Sequence, residues 1–316
     1  MKILVIRFSS IGDIVLTSPV IRCLKQQIPS STIHYLTKST FKDVLANNPY
    51  IDKIIEIEKD INEVKTLLQN EKYNVIVDLH KNIRTLKVKH WLNTANYITF
   101  DKLNLEKWIM VNLKWNLLPK KHLVDRYFEG LRSLNIKNDE KGLDFFIEEK
   151  DLNSKREEIN FKESYDVIVL GAAHFTKRMT ENIIQSIIEK SKNKIILIGG
   201  KNEMNFGEQI SRKNVLKVIN MCGKCTIAQS ASIIKNASMV FTSDTGMMHI
   251  AAALQKPITA YWGNTIPDFG MYPYYGKKSN QSFENKEIFI NCRPCSKIGY
   301  DDCPRKHFNC MKKLIN

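Results

Sequence analysis

The sequence predicts an α/β protein built as two doubly wound parallel-sheet domains, residues 1–150 and 151–316, facing each other across a cleft. Three observations lead there. Short apolar runs alternate with helix-length amphipathic stretches through both halves, as strand-helix-strand units require. A polar stretch over residues 137–164, rich in Lys, Glu, Asp and Asn, separates the two series. Finally, 316 residues with 43% hydrophobic content can bury two cores of ordinary domain size.

The first series places strands near residues 2–7, 32–37, 53–58, 74–79 and 96–100. Lys2-Ile3-Leu4-Val5-Ile6-Arg7 reads as a buried strand, because its unbroken aliphatic run leaves no solvent-facing side. Phe8-Ser9-Ser10-Ile11-Gly12-Asp13 reads as a Gly-hinged loop at that strand's carboxyl edge, and the next helix starts with Ser18 as cap and Pro19 at its first position. A dinucleotide fingerprint needs three glycines where this loop has one, which argues against a nicotinamide enzyme. Asp13 has two readings: a general base for a substrate hydroxyl, or the cap of a short helical turn.

After residue 115 the pattern turns helical, and charge becomes uneven around it. Basic residues outnumber acidic ones between Lys72 and Arg126, and Trp91, Trp108 and Trp115 fall in the same region. Tryptophan interleaved with lysine suits a membrane interface, while core filling is the ordinary alternative for any one ring. Lys81, Arg84, Lys87 and Lys89 together suggest a basic wall. The net charge of +15 predicts attraction to something anionic, a nucleic acid or an acidic membrane face. No apolar run has membrane-spanning length, and the opening strand, interrupted by Arg7, is not a signal peptide; a cytosolic protein is expected.

The second series places strands at 166–170, 194–198, 216–219, 239–242 and 257–261. Its most informative run is Val240 to Ala253, where an apolar strand stops at Ser243-Asp244-Thr245-Gly246 and restarts as a small-residue helix. Free N–H groups and the positive dipole end of such a helix make an anion pocket at the strand's carboxyl edge, where nucleotide diphosphates commonly sit. Asp244 can cap the helix or accept from a ribose or sugar hydroxyl, Gly246 allows close backbone approach, and His249 lies three residues on. Many such turns hold no ligand, so a second site has to support the reading.

Arg7 to Asp13 near the start and Asp244-Thr245-Gly246-Met247-Met248-His249 late in the chain resemble the paired signatures of glycosyltransferase family 9, the ADP-heptose:lipopolysaccharide heptosyltransferases and their relatives. Asp78-Leu79-His80-Lys81-Asn82-Ile83-Arg84-Thr85 resembles the family's intermediate strand-to-helix segment, and Lys177-Arg178 its basic pair after the first strand of the C-terminal domain. The resemblance implies the GT-B arrangement, with an N-terminal acceptor-binding domain and a C-terminal donor-binding domain. It implies an inverting transfer of a sugar, heptose from ADP-heptose first, to a lipopolysaccharide core or other lipid-linked saccharide. In that reading Asp13 takes the acceptor proton, Lys177 and Arg178 lie beside the diphosphate, and Ser10 and His249 border it. Asp244, Thr245 and Gly246 hold the donor, Glu203 its ribose, and Cys225 its base, while Gly12, Lys81 and Arg84 serve the acceptor. The chain departs from the family at Met179, where many members have tryptophan, and at Ala172-Ala173, where some have hydroxyl residues.

Seven cysteines divide into Cys23, the pair Cys222 and Cys225, and the group Cys292, Cys295, Cys303 and Cys310 with His307 nearby. The last group has spacing compatible with structural zinc, and a structural staple is favoured over a reactive site. Cys222-x-x-Cys225 precedes a helix deep in the second half, unlike a thioredoxin-type redox motif. The chemistry itself calls for no cofactor, and assistance by a divalent ion stays open. Expected partners are the nucleotide sugar, the lipid-linked acceptor and the anionic inner face of the cytoplasmic membrane, bound by a monomer, with no nucleic acid. The competing readings are a GT-B enzyme using another sugar nucleotide, a nucleotide-sugar epimerase and, more distantly, a zinc-containing nucleic-acid-binding protein.

Overall fold

A computed structural model describes residues 1–316 apart from 95, 153, 156, 157, 160–162, 315 and 316. The chain divides into two compact units. The first comprises Met1–Lys102, Lys121–Phe146 and Gly276–Lys278; the second comprises Leu103–Lys120, Ile147–Tyr275 and Ser279–Asn316.

In the first unit five parallel strands, β1 (Lys2–Ile6), β2 (Thr32–Lys38), β3 (Lys53–Ile57), β4 (Val75–Asp78) and β5 (Tyr97–Thr99), lie in the order β3-β2-β1-β4-β5. Central β1 pairs Ile3 with Ile33 on one side and Val75 on the other, and Ile3 to Ile6 are fully buried, as a strand covered on both faces demands. Between the strands run α1 (Ile11–Val15), α2 (Ser18–Gln27), α3 (Lys65–Asn70) and α4 (Ile83–Leu92). Next in the chain, α5 (Asn104–Asn112) belongs to the second unit and α6 (Leu123–Gly130) to the first.

The second unit has six parallel strands: β6 (Tyr165–Val169), β7 (Lys194–Ile198), β8 (Val218–Asn220), β9 (Val240–Ser243), β10 (Ile258–Tyr261) and β11 (Phe283–Lys286). Their order is β11-β10-β9-β6-β7-β8. The helices are α7 (Glu181–Lys190), α8 (Met204–Lys213), α9 (Ile227–Asn236), α10 (Gly246–Ala253) and α11 (Asn309–Lys312). On α7 the i, i+4 pairs Ile183/Ile187 and Ile184/Ile188 form one buried stripe against Ile195 and Leu197 of β7. Fully burying each such side chain stabilises by about 1.5–3 kcal/mol, so Ile184→Ala in that stripe costs about 2–5 kcal/mol.

Four expectations are corrected. Phe8 to Asp13 is not a Gly-hinged loop, because Gly12 lies inside the one-turn helix α1, whose N-cap is Ser10. Thr17, not Ser18, holds the N-cap position of α2, without a side-chain capping bond, and Ser18 and Pro19 are the helix's first two residues. The strand placed at 216–219 starts at Val218, since Lys217 and Val218 N–H both bond to Asn214 O and hold the preceding residues in a turn, with Leu216 exposed. Residues 103–120, on the first side of a single cut at 150, fold with the second unit: Lys114 Nζ donates to the carbonyls of Cys292 (3.2 Å) and Pro294 (2.6 Å), and Asn116 Nδ2 to Asp268 (2.6 Å).

Candidate active site

Each sheet reverses its winding once, and within each unit several of the singled-out residues lie at that reversal. In the second unit the reversal falls between β6 and β9, where a doubly wound sheet opens a crevice at its carboxyl ends. Lys177, on the connection after β6, and Asp244, directly after β9, form an ion pair across that point, Nζ to Oδ2 at 2.6 Å. Thr265, in the loop after β10, donates its hydroxyl to the same Oδ2 at 2.9 Å. Thr245 caps α10, its Oγ1 accepting from Met248 N–H at 3.4 Å, and the helix begins at Gly246. The donor groups of the first turn and the Lys177 ammonium are therefore gathered at the carboxyl ends of adjacent strands, an arrangement that favours a phosphate.

Beside it, Arg178 joins the loop after β6 to that after β7. Its guanidinium pairs with Glu203 Oε1 at 3.2 Å and donates to the carbonyl of Ala172 at 3.3 Å, so the alanine position contributes through its backbone. Glu203 is buried and also accepts from Gly200 N–H at 2.9 Å. A Cβ on Gly171 would come within 3.0 Å of Glu203 Oε2, and one on Gly199 within 3.2 Å of Cys222 Sγ, which explains glycine at both strand ends. Burial pushes the Cys222 thiol up to about 12 and raises that of half-buried Cys225 as well. Neither thiol has the thiolate character of a redox motif. His249 is 1% exposed, beneath the surface rather than open beside a ligand. Met179 fills the core at a position where a tryptophan was the alternative.

In the first unit the reversal falls between β1 and β4, and Asp13 stands at that edge. Arg7 NH2 contacts Asp13 Oδ1 at 2.5 Å, while Ser10 N–H and its hydroxyl donate to Oδ2 at 3.2 and 2.9 Å. Burial works to raise the Asp13 carboxyl, but the Arg7 guanidinium and the Ser10 hydrogen bonds outweigh it and hold the group below the usual carboxylate range. Asp13 thus completes the α1 cap and is also an ionised carboxylate. With three of about four acceptor positions in use, it can still accept one hydrogen bond from a hydroxyl. Arg7 itself is fixed by donating to the carbonyls of Leu79 at 2.6 Å and Ser9 at 2.7 Å.

Across from Asp13 on the β4 side, the His80 ring packs on Phe8 with centroids 4.9 Å apart. Burial, then Arg7, Lys102 and Arg84, depress His80 to about 3, so it is neutral at physiological pH. Arg84 lies over the same Phe8 ring, 4.9 Å from its centroid, and Lys81 Nζ is engaged by the Phe100 carbonyl at 3.0 Å. Lys87 is exposed, and Lys89 sits over the Tyr97 ring at 4.5 Å. Only part of the expected basic wall is therefore uncommitted. Ser10 is exposed, and Gly12 is buried within α1, so the latter shapes the turn rather than a contact surface.

The tryptophans divide. Trp91 packs against the first core, while Trp108 and Trp115 are 56% and 66% exposed. Cys292 Sγ lies 3.9 Å from His307 Nε2, and Cys295 Sγ donates to Cys292 O at 3.0 Å. His307 Nδ1 accepts from Asn309 N–H, which puts the ring proton on Nε2, facing the Cys292 sulfur. Burial raises the thiols of Cys295 to about 12 and Cys310 to about 11. Among the described residues no three His, Cys, Asp or Glu side chains gather at a spacing that holds a metal.

Sequence reasoning passed over Arg7 as the partner of Asp13, and Thr265 as a partner of Asp244. Thr265 had a signal, a Gly-containing loop at the end of an apolar run, Tyr261-Trp262-Gly263-Asn264-Thr265.

The sequence matches Glycosyltransferase family 9 (heptosyltransferase) over residues 61–298. It is 26% identical over 299 residues to lipopolysaccharide heptosyltransferase 1 of Campylobacter coli, covering 84% of each chain. Among solved structures, E. coli ADP-heptose lps heptosyltransferase II superposes with a TM-score of 0.71 at 20% identity, covering 99% of this chain and 98% of that one. E. coli heptosyltransferase WaaC with ADP-2-deoxy-2-fluoro heptose gives a TM-score of 0.68 at 18% identity, with 99% and 98% covered. These likenesses show a shared GT-B fold. The chain belongs to glycosyltransferase family 9, the heptosyltransferases.

Proposed function

We propose that this protein transfers heptose from ADP-heptose to a hydroxyl of a lipopolysaccharide core, with inversion at the anomeric carbon in one step. Family membership and the heptosyltransferase names of its relatives support the sugar, and WaaC with an ADP-heptose analogue supports the donor. The observation that carries the reading is the Lys177–Asp244 pair at the β6/β9 reversal beside the α10 N-terminus.

As the bond from the anomeric carbon to the diphosphate breaks, negative charge grows on the leaving ADP. Lys177, Arg178 and the first-turn N–H groups of α10 neutralise it, which is transition-state stabilisation of the electrostatic kind. Asp244 has hydroxyl-accepting capacity for the sugar, and Glu203 for the ribose. The acceptor oxygen forms the new bond and its proton passes to Asp13. Arg7 keeps that carboxylate ionised before the reaction.

The enzyme works as a peripheral protein on an anionic membrane face. Among the described residues no helix is long and apolar enough to cross a membrane. Segment 103–120 instead exposes Leu105, Trp108, Leu113, Trp115 and Leu117, with lysines at 107 and 120 in the same stretch. Aromatic rings at headgroup depth and lysines toward lipid phosphate account for that composition.

Thermal shift of the purified protein against a panel of nucleotide sugars tests the donor, since a ligand bound only by the folded state raises its melting point. ADP-heptose should give the largest shift. An equal or larger shift with a uridine or guanosine diphosphate sugar would reject the donor assignment.

A further inference from the structure

We infer that Arg293 is a positioning residue for the donor site, through which the cysteine-rich segment holds the diphosphate-binding loops in register. Its side chain is 5% exposed and spends its guanidinium on one loop and its neighbours. Nε donates to Gly263 O at 2.6 Å and NH2 to Thr265 O at 2.9 Å, so one rigid fork bridges two carbonyls of the loop after β10. NH1 donates to the carbonyl of Ile288, and NH2 also reaches Glu287 Oε2 at 2.9 Å. Thr265 is the residue whose hydroxyl holds Asp244, which in turn holds Lys177.

The same segment grips the Lys177 loop at a second point. Tyr300 N–H donates to Thr176 Oγ1 at 2.9 Å, and Thr176 N–H donates back to Tyr300 O at 3.1 Å. Between the two grips, Cys295 N–H donates to Asn264 O at 3.1 Å and Asn264 N–H to Thr176 O at 3.3 Å. The Asn264 side chain is buried with neither amide atom bonded to protein, so this loop is held through its backbone. A Cβ on Gly263 would stand 2.4 Å from Thr176 O, so the β10 loop and the Lys177 loop touch along bare backbone. Residues 293–300 thus pin, on one side, the loop whose threonine orients Asp244 and, on the other, the residue next to Lys177.

Lys177 and Asp244 meet the donor only if its diphosphate binds there, as proposed above. Removing the fork frees the Gly263 and Thr265 carbonyls, lets Thr265 drift and leaves the two charges imperfectly placed. A misplacement of about 1 Å around a reacting centre can cost up to about 100-fold.

The test compares wild type, Arg293→Met, which keeps the stem and loses every donor, and Arg293→Lys, which restores a charge but not the fork. Three quantities are read on the purified full chain: hydrogen exchange of peptides spanning 262–266 and 175–178 without ligand, ADP affinity by calorimetry, and KM for ADP-heptose beside kcat. Arg293→Met should exchange faster in those two peptides and not in β1 or β4, bind ADP at least about tenfold more weakly, and raise donor KM more than it lowers kcat. Arg293→Lys should fall between, and it carries the same comparison if the Met variant does not fold. Wild-type exchange in both peptides, or faster exchange with unchanged ADP affinity and donor KM, overturns the role of Arg293 while the donor reading stands. A loss of melting temperature and kcat with donor KM unchanged also overturns it, since a merely structural residue behaves that way. Wild type that binds no ADP overturns the donor reading, and the positioning role with it.

Discussion

Replacing Lys177 by Met removes the cation that spans the β6/β9 reversal and separates two consequences that a single Ala scan would confuse. The first is on the free protein. Lys177 and Asp244 side chains are 15% and 12% exposed, so the pair is largely withdrawn from water. Stranding one partner of a buried pair costs about 3–5 kcal/mol in the fully buried limit. Here Thr265 still donates to Asp244 and some exposure remains, so a loss of about 1–3 kcal/mol is expected. The second consequence is on the complex, where a charge-assisted contact to the diphosphate disappears. Such a bond is worth about 1.5–3 kcal/mol, which weakens ADP by about 10- to 150-fold. Adding Asp244→Asn to Lys177→Met removes the stranded charge and should recover much of the stability while leaving ADP binding weak. Urea unfolding and ADP calorimetry on the wild type, both singles and the double complete the cycle. ADP affinity within twofold of wild type in Lys177→Met would refute the diphosphate role, and stability recovering together with ADP affinity in the double variant would show the pair to be a structural bridge.

Three further outcomes are expected. Asp13→Asn should lose about 10²–10⁴ in transfer rate with donor affinity little changed, because Asn keeps the hydrogen-bond acceptor of the α1 cap and loses the base; a near wild-type rate would remove the catalytic role. The same variant tests the ionisation state. The folded carboxyl lies below its ordinary value of 3.8, so it contributes stability that is fully present above the unfolded value and is lost as pH falls through the folded one. The stability difference between wild type and Asp13→Asn should therefore be constant from pH 7 to about 5 and shrink below about 4, and a difference that grew on acidification would contradict the Arg7 pairing. Binding to vesicles containing acidic lipid should fall as salt rises, and replacing Trp108 and Trp115 together by Ala should weaken it by about tenfold or more at fixed salt; equal binding to neutral vesicles, or an unaffected double variant, would remove segment 103–120 from the membrane surface.

The strands were legible wherever burial on both faces forces an unbroken aliphatic run, as in Ile3 to Ile6 or Ile195 to Ile198. Strand β11 was not, because Phe283-Glu284-Asn285-Lys286 is an edge strand whose residues are exposed or half-buried and carry no apolar pattern. Helix α1 escaped for a different reason: five residues containing a glycine are too few for periodicity, and the turn depends on Asp13 bonding back to Ser10. At the candidate site Asp13 and Asp244 could be singled out from strand-end turns, and Lys177 from the family resemblance. Their pairing could not be read, since Lys177 meets Asp244, and Arg293 meets Gly263 and Thr265, only after parallel strands bring distant loops together. Segment 103–120 shows the same limit in domain assignment, because nothing local announces that Lys114 will bond to carbonyls near Cys292.

The most direct test incubates the purified protein with ADP-heptose and a lipopolysaccharide core acceptor lacking heptose, and follows the acceptor by mass spectrometry and the new linkage by NMR. One heptose should be added with stoichiometric release of ADP, and its anomeric configuration should be opposite to the donor's. Transfer with retained configuration would contradict the single-step mechanism at Asp13, and transfer from another nucleotide sugar but not from ADP-heptose would contradict the proposed function itself.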